Sequence, residues 1–255
     1  MRITRSIVPN LFTLVNLFMG FTAIVYITRD DFTNAALCIL VAAIFDMLDG
    51  MVARLINAAS EFGVELDSLC DAVSFGVVPG FMLYKVHFYL YQDMGILLAS
   101  LPALAGVIRL ARFNVKLTSL EDKKYFSGLP IPSGALTILS YVIFFHNESF
   151  LPQEIKTISV FVITFITSLA MVSNIRFDNL PRYSLRYIKN NKIIFILFNL
   201  AAVAIIISKG FLILPFMLIY IFGSSIRHFI NWLKTKYEID DDFDDSEQDE
   251  INKYE

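Results

Sequence analysis

Apolar residues run along this chain in long, nearly unbroken stretches separated by short polar clusters. Stretches at 9–28, 33–56, 63–86, 94–114, 132–147, 155–173, 192–208 and 210–232 lie near the length at which a helix crosses a bilayer, about 20 residues. They lack the period-two alternation of a membrane barrel strand. In lipid every backbone N–H and C=O must be bonded within the protein, so the pattern predicts helices. The expected fold is all-α, a polytopic membrane bundle of about eight transmembrane helices over residues 1–237, followed by a tail at 238–255. Only Lys209 and Gly210 separate the last two stretches, which leaves that boundary loosely defined.

Composition supports the membrane reading. Hydrophobic residues make up 56% and charged residues 18% of the chain, against about 25% charged in soluble domains. The net charge of -3 misleads, because ten of the 24 acidic residues fall in 238–255. That acidic, apolar-poor tail is expected to be disordered and cytoplasmic. The remainder is basic, and its cations are asymmetric. With Arg2 and Arg5 in the cytoplasm, Arg54, Arg109, Arg112, Arg176, Arg182, Arg186 and Lys189 share that side, whereas Arg29, Lys85, Lys156 and Lys209 fall opposite. A multi-pass cell-membrane protein surrounded by membrane lipids is expected, and no nucleic-acid partner. Cys38 and Cys70 lie within predicted spans, which argues against a disulfide framework. His87, His146 and His228 lack the spacing of metal ligands.

Charge within a span is costly and calls for a function. Asp46, Asp49, Gly50 and Ala53 stand at i, i+3, i+4 and i+7, one face of the second helix, which ends in Arg54. Gly63, Asp67 and Asp71 stand at i, i+4 and i+8 on the third. Residues 57–60 read as a turn with Ser60 as N-cap of the third helix. Antiparallel packing of these helices would gather four carboxylates near the cytoplasmic surface. Such a group is stable only if some members are protonated or cations lie among them. Oxygen-only ligands suit Mg²⁺ or Mn²⁺, and a pair of ions would serve phosphoryl transfer. Gly50, Ala53 and Gly63 allow close approach of helix or ligand, and the Arg54 guanidinium suits a diphosphate.

The run Asp46-x-x-Asp49-Gly50-x-x-Ala53-Arg54, then eight residues, then Gly63-x-x-x-Asp67-x-x-x-Asp71 resembles the signature of the CDP-alcohol phosphatidyltransferase family at every fixed position. The resemblance covers the second and third helices. It implies that Asp46, Asp49, Asp67 and Asp71 bind two divalent ions, that Asp71 is also the general base, and that Gly50, Ala53, Arg54 and Gly63 line the CDP-lipid site. It further implies a homodimer and attack of an alcohol on the lipid-bearing phosphorus, with CMP leaving.

Arg109-Leu110-Ala111-Arg112-Phe113-Asn114, the loop from Phe126 to Pro132, and Ser74-Phe75-Gly76 before a kink at Pro79 resemble the serine-using bacterial and archaeal branch of that family. CDP-diacylglycerol and L-serine are therefore the expected substrates, with Arg109 and Arg112 as candidates for the serine carboxylate. Glycerol phosphate or inositol as acceptor, and CDP-archaeol as donor, fit the same chemistry. Gly128, Pro130 and Pro132 predict a defined turn, either connector or lid. Asn10, Thr13 and Asn16 share a polar face of the first helix; Asn10 and Thr13 are candidates for contact with the CDP-lipid. A membrane prenyltransferase would need two acid clusters on distant helices, and a divalent-cation transporter a mid-membrane site, so both fit less well.

Overall fold

A computed structural model describes residues 2–58, 60–117, 126–146, 151–177 and 192–251. Residues 118–125, just ahead of the loop from Phe126 to Pro132, and Arg182, Arg186 and Lys189 lie outside these. Helix α1 covers Arg2–Thr28 and α2 covers Phe32–Leu55. Helix α3, Glu61–Asp71, passes through a wide π turn, Ala72–Val77, into α4, Val78–Val86. A 3₁₀ turn at Phe88–Tyr91 leads to α5, Gln92–Leu117. Then follow α6 (Ile131–Tyr141), α7 (Gln153–Val172), α8 (Lys192–Ile207) and α9 (Ile213–Ile251).

Every apolar stretch of the sequence falls on a helix. Six helical spans among the described residues are long and apolar enough to cross a membrane, and Ile131–His146 is a shorter apolar helix. Helix α8, with 16 residues, is also short of a full span. The loosely defined boundary at Lys209 and Gly210 is a turn, with φ of 51° and 94° at these residues. The only strands among the described residues are a two-residue antiparallel pair, Phe126–Ser127 with Arg176–Phe177. The acidic segment has helical backbone to Ile251, as a continuation of α9. No Gly or Pro follows Gly223 to stop that helix.

Local chemistry explains the starts of the key helices. Asp31 caps α2, accepting from the Asn34 N–H at 3.1 Å. Ser60, in extended conformation, caps α3 and accepts from the Gly63 N–H at 3.1 Å, as its sequence position predicts. The kink expected at Pro79 is a π turn located just ahead of it, where Val78 N–H bonds the Val73 carbonyl five residues back. Helix α1 packs along α2 and also against α3 and α4, so it backs both acid-bearing helices. The core proper lies toward α5, α6 and α7, where Phe75, Val78, Met82, Leu83, Ile131 and Ile138 are fully buried.

The Gly128 turn is well defined. Gly128 has φ +83°, and a side chain there would collide with the Met171 carbonyl oxygen. Its N–H bonds the Ile175 carbonyl at 2.9 Å, and the Leu129 N–H bonds the Ala170 carbonyl at 2.9 Å. The turn is thus strapped to the end of α7, with Leu129 buried beneath it.

Candidate active site

The signature helices meet at their acids. Asp46 and Asp49 on α2 and Asp67 on α3 each bring a potential ligand atom to within 4.8 Å of the others. Asp71, one turn beyond Asp67, is buried and lies within Coulombic range of all three. Helix α1 provides the polar backing. Thr13 Oγ1 donates to Asp49 Oδ2 at 2.7 Å, and Asn16 Nδ2 donates to Asp71 Oδ1 at 3.0 Å.

The small residues divide in role. A Cβ at Gly63 would lie 3.2 Å from Ser60 Oγ and 3.3 Å from Asn10 Oδ1, so Gly63 is where α1 seats against α3. A Cβ at Gly50 would meet nothing within 4 Å, so that backbone faces open space beside the acids. Ala53 is half-buried and Arg54 is exposed at the end of α2.

The two candidate acceptor arginines also divide. Arg109 is buried in α5 and interacts electrostatically with Asp71 and with Tyr220 of α9. Arg112, one turn on, is exposed and its Nη1 donates to the Val172 carbonyl, at the C-terminal end of α7. Of the pair, the structure brings only Arg109 to the acids. Asn114 bridges α5 to α3, donating to Ser68 Oγ at 3.0 Å.

Two further residues join the site. The spacing of Asn10, Thr13 and Asn16 marks the face that carries Asn16, although its contact is with Asp71 rather than with a ligand. Nothing in the local sequence sets Tyr220 apart from the other tyrosines; it reaches the site because α9 returns past Phe177, whose ring lies 5.5 Å from its own.

The residues present fit a divalent metal. Asp67 Oδ1 is buried with no hydrogen-bond partner among the described residues, beside two more carboxylates. A cation satisfies such an oxygen and offsets the mutual repulsion of the acids. An all-oxygen donor set selects a hard ion.

Sequence comparison agrees with this geometry. The profile described as CDP-alcohol phosphatidyltransferase matches residues 6–222. The chain belongs to the CDP-alcohol phosphatidyltransferase family, and its apolar helices make it a multi-pass membrane enzyme of that class. Among its relatives, the CDP-diacylglycerol–serine O-phosphatidyltransferase of Helicobacter pylori (strain ATCC 700392 / 26695) is 37% identical over 174 residues, 68% of this chain and 73% of the relative. The enzyme of the same description from Methanocaldococcus jannaschii is 35% identical over 176 residues, 69% and 76% of the two chains. An archaetidylserine synthase from Methanothermobacter thermautotrophicus is 36% identical over 172 residues, 66% and 68%.

Proposed function

We propose that this protein transfers the phosphatidyl group of CDP-diacylglycerol to the hydroxyl of L-serine and releases CMP. The observation that carries the proposal is the convergence of Asp46, Asp49 and Asp67 on one point, with Asp71 and Arg109 alongside. The acids would hold two Mg²⁺ or Mn²⁺ ions, which, when bound, neutralise the diphosphate and the charge that develops on departing CMP. The other roles fall to the chain itself. Gly50 leaves its backbone open to the cytidine diphosphate, flanked by Ala53 and Arg54. Asp71 accepts the serine hydroxyl proton as oxygen attacks phosphorus. Arg109, a buried cation beside Asp71, pairs with the serine carboxylate and so favours serine over a neutral polyol.

Several finer assignments belong to the same proposal. The distribution of Lys and Arg supports a site at the cytoplasmic face of the cell membrane. The protein works as a homodimer. Asn10 and Thr13 support the site from behind, through Gly63 and Asp49, rather than by touching the CDP-lipid. The archaetidylserine synthase relative makes CDP-archaeol the alternative donor.

The test is direct. Purified protein in lipid nanodiscs is given CDP-diacylglycerol and Mn²⁺, then serine, inositol or glycerol phosphate in separate reactions, and CMP is measured. Serine alone should release CMP at rate. Release driven by glycerol phosphate or inositol instead would reassign the acceptor, and none with any alcohol would remove the transfer reading.

A further inference from the structure

Asn16 is fully buried midway along α1, a position where an apolar residue would ordinarily face neighbouring helices. The residue is held at two points, one on its side chain and one on its backbone. The Nδ2 group donates to Asp71 Oδ1 at 3.0 Å. Its own backbone carbonyl accepts from Ser74 Oγ at 3.1 Å, and Ser74 is itself fully buried on the π turn three residues beyond Asp71. That second bond requires close approach of α1 to the turn, which Gly20 permits: any Cβ at Gly20 would collide with Ser74 Oγ. The side-chain oxygen of Asn16, by contrast, is buried with no partner among the described residues. Burying an amide with an unsatisfied oxygen costs free energy that a leucine would avoid. What the amide provides in return is the contact with Asp71.

We propose that Asn16 is a positioning residue for Asp71, distinct in role from Thr13, which serves the three-acid cluster. The inference rests on the transfer reading above. An amide can turn only one of its ends to a carboxylate: Oδ1 there would set acceptor against acceptor, so Nδ2 faces Asp71. With Oδ1 of Asp71 tethered, its second oxygen is the one presented to the acceptor hydroxyl, in fixed orientation. Ser74 and Gly20 hold the tether itself in place, so α1 sets the direction of the proton acceptor while α3 supplies it. Aspartate at position 16 would put two carboxylates in contact; leucine would keep the shape and remove the donor.

The experiment compares wild type, Asn16→Leu, Asp71→Asn and the double variant in nanodiscs, measuring kcat and KM for CMP release, and Mn²⁺ affinity by calorimetry without substrate. Asn16→Leu should lower kcat by about a hundredfold, within the range general-base catalysis contributes. KM for the CDP-lipid should stay within about threefold of wild type, and the loss of kcat should persist at Mn²⁺ concentrations that saturate the variant, since the cluster of Asp46, Asp49 and Asp67 is untouched. The double variant should be no slower than Asp71→Asn alone, because residues acting as a unit are not additive. Ser74→Ala, which keeps the amide and loosens its anchor, should lower kcat by about three- to tenfold and serves as the milder probe if Asn16→Leu does not fold. The proposal is overturned if Asn16→Leu or Asp71→Asn keeps wild-type kcat, if Asn16→Leu slows the Asp71→Asn background by its full factor, or if saturating Mn²⁺ restores the kcat of Asn16→Leu. Loss of the transfer reading would look different: wild type itself would release no CMP with any alcohol.

Discussion

Replacing Thr13 by valine removes a hydroxyl that donates to Asp49 and also lies 3.2 Å from the Pro9 carbonyl one turn back, the weaker contact of the two. Thr13 is 3% exposed and its hydroxyl meets Asp49 Oδ2 at 2.7 Å, so the bond is short, buried and made to a group that carries charge in the metal-bound state. Valine has nearly the same shape, so α1 and α2 keep their packing and the change is confined to the lost donor. Hydrogen bonds to charged groups contribute about 1.5–3 kcal/mol. At about 1.4 kcal/mol per factor of ten, that is a ten- to hundredfold weaker hold on metal, the range seen when partners behind metal ligands are removed. Two assays read it: direct Mn²⁺ titration by calorimetry, and the Mn²⁺ dependence of CMP release. The dissociation constant should rise at least about tenfold, with kcat at saturating metal largely recovered, and Thr13→Ser should behave as wild type. Valine protein that binds Mn²⁺ with wild-type affinity would refute the reasoning, because Asp49 would then need no orienting donor.

Three other outcomes follow from the same geometry. Arg109→Ala should raise the serine KM by more than about tenfold and leave the CDP-lipid KM little changed, as separate initial-rate series would show. Treatment with a chelator should abolish CMP release, and added Mn²⁺ or Mg²⁺ should restore it; full activity after exhaustive chelation would contradict a metal role for the acids. Gly128→Ala places a side chain at φ +83° against the Met171 carbonyl. It should destabilise the fold by at least about 1–2 kcal/mol and lower Tm in scanning fluorimetry by a few degrees.

The parts of this molecule legible in the sequence are those governed by local periodicity. Spans follow from unbroken apolar runs, and the faces of Asp46 with Asp49 and of Asp67 with Asp71 follow from 3.6-residue winding. The Ser60 cap follows from its position ahead of Glu61 and Gly63. What periodicity does not encode is which distant helix lies behind a face. Asn16 reads as one more polar residue on α1, and only the packing of α1 on α3 turns it toward Asp71. Arg109 and Arg112 look equivalent by type and spacing, yet one turn of α5 separates a buried residue beside the acids from an exposed one holding α7. Gly63 fits either a ligand contact or a helix contact by sequence, and in the fold Asn10 of α1 lies against it. In the acidic segment composition favours disorder, and the absence of a breaking residue favours the helical backbone that continues α9.

The wide winding at Ala72–Val77 makes α3 and α4 two instruments on one rod. An extra residue in a turn delays the rotation of everything after it by about 100°. Above that point the rod presents Asp67 and Asp71 to the first two helices; below it, Val78, Met82 and Leu83 are keyed into the apolar interior. Tightening that turn to ordinary winding would force one half to swing out of its seat whenever the other stayed in place. The chemistry at one end and the anchorage at the other are therefore phased independently, within a single crossing of the membrane.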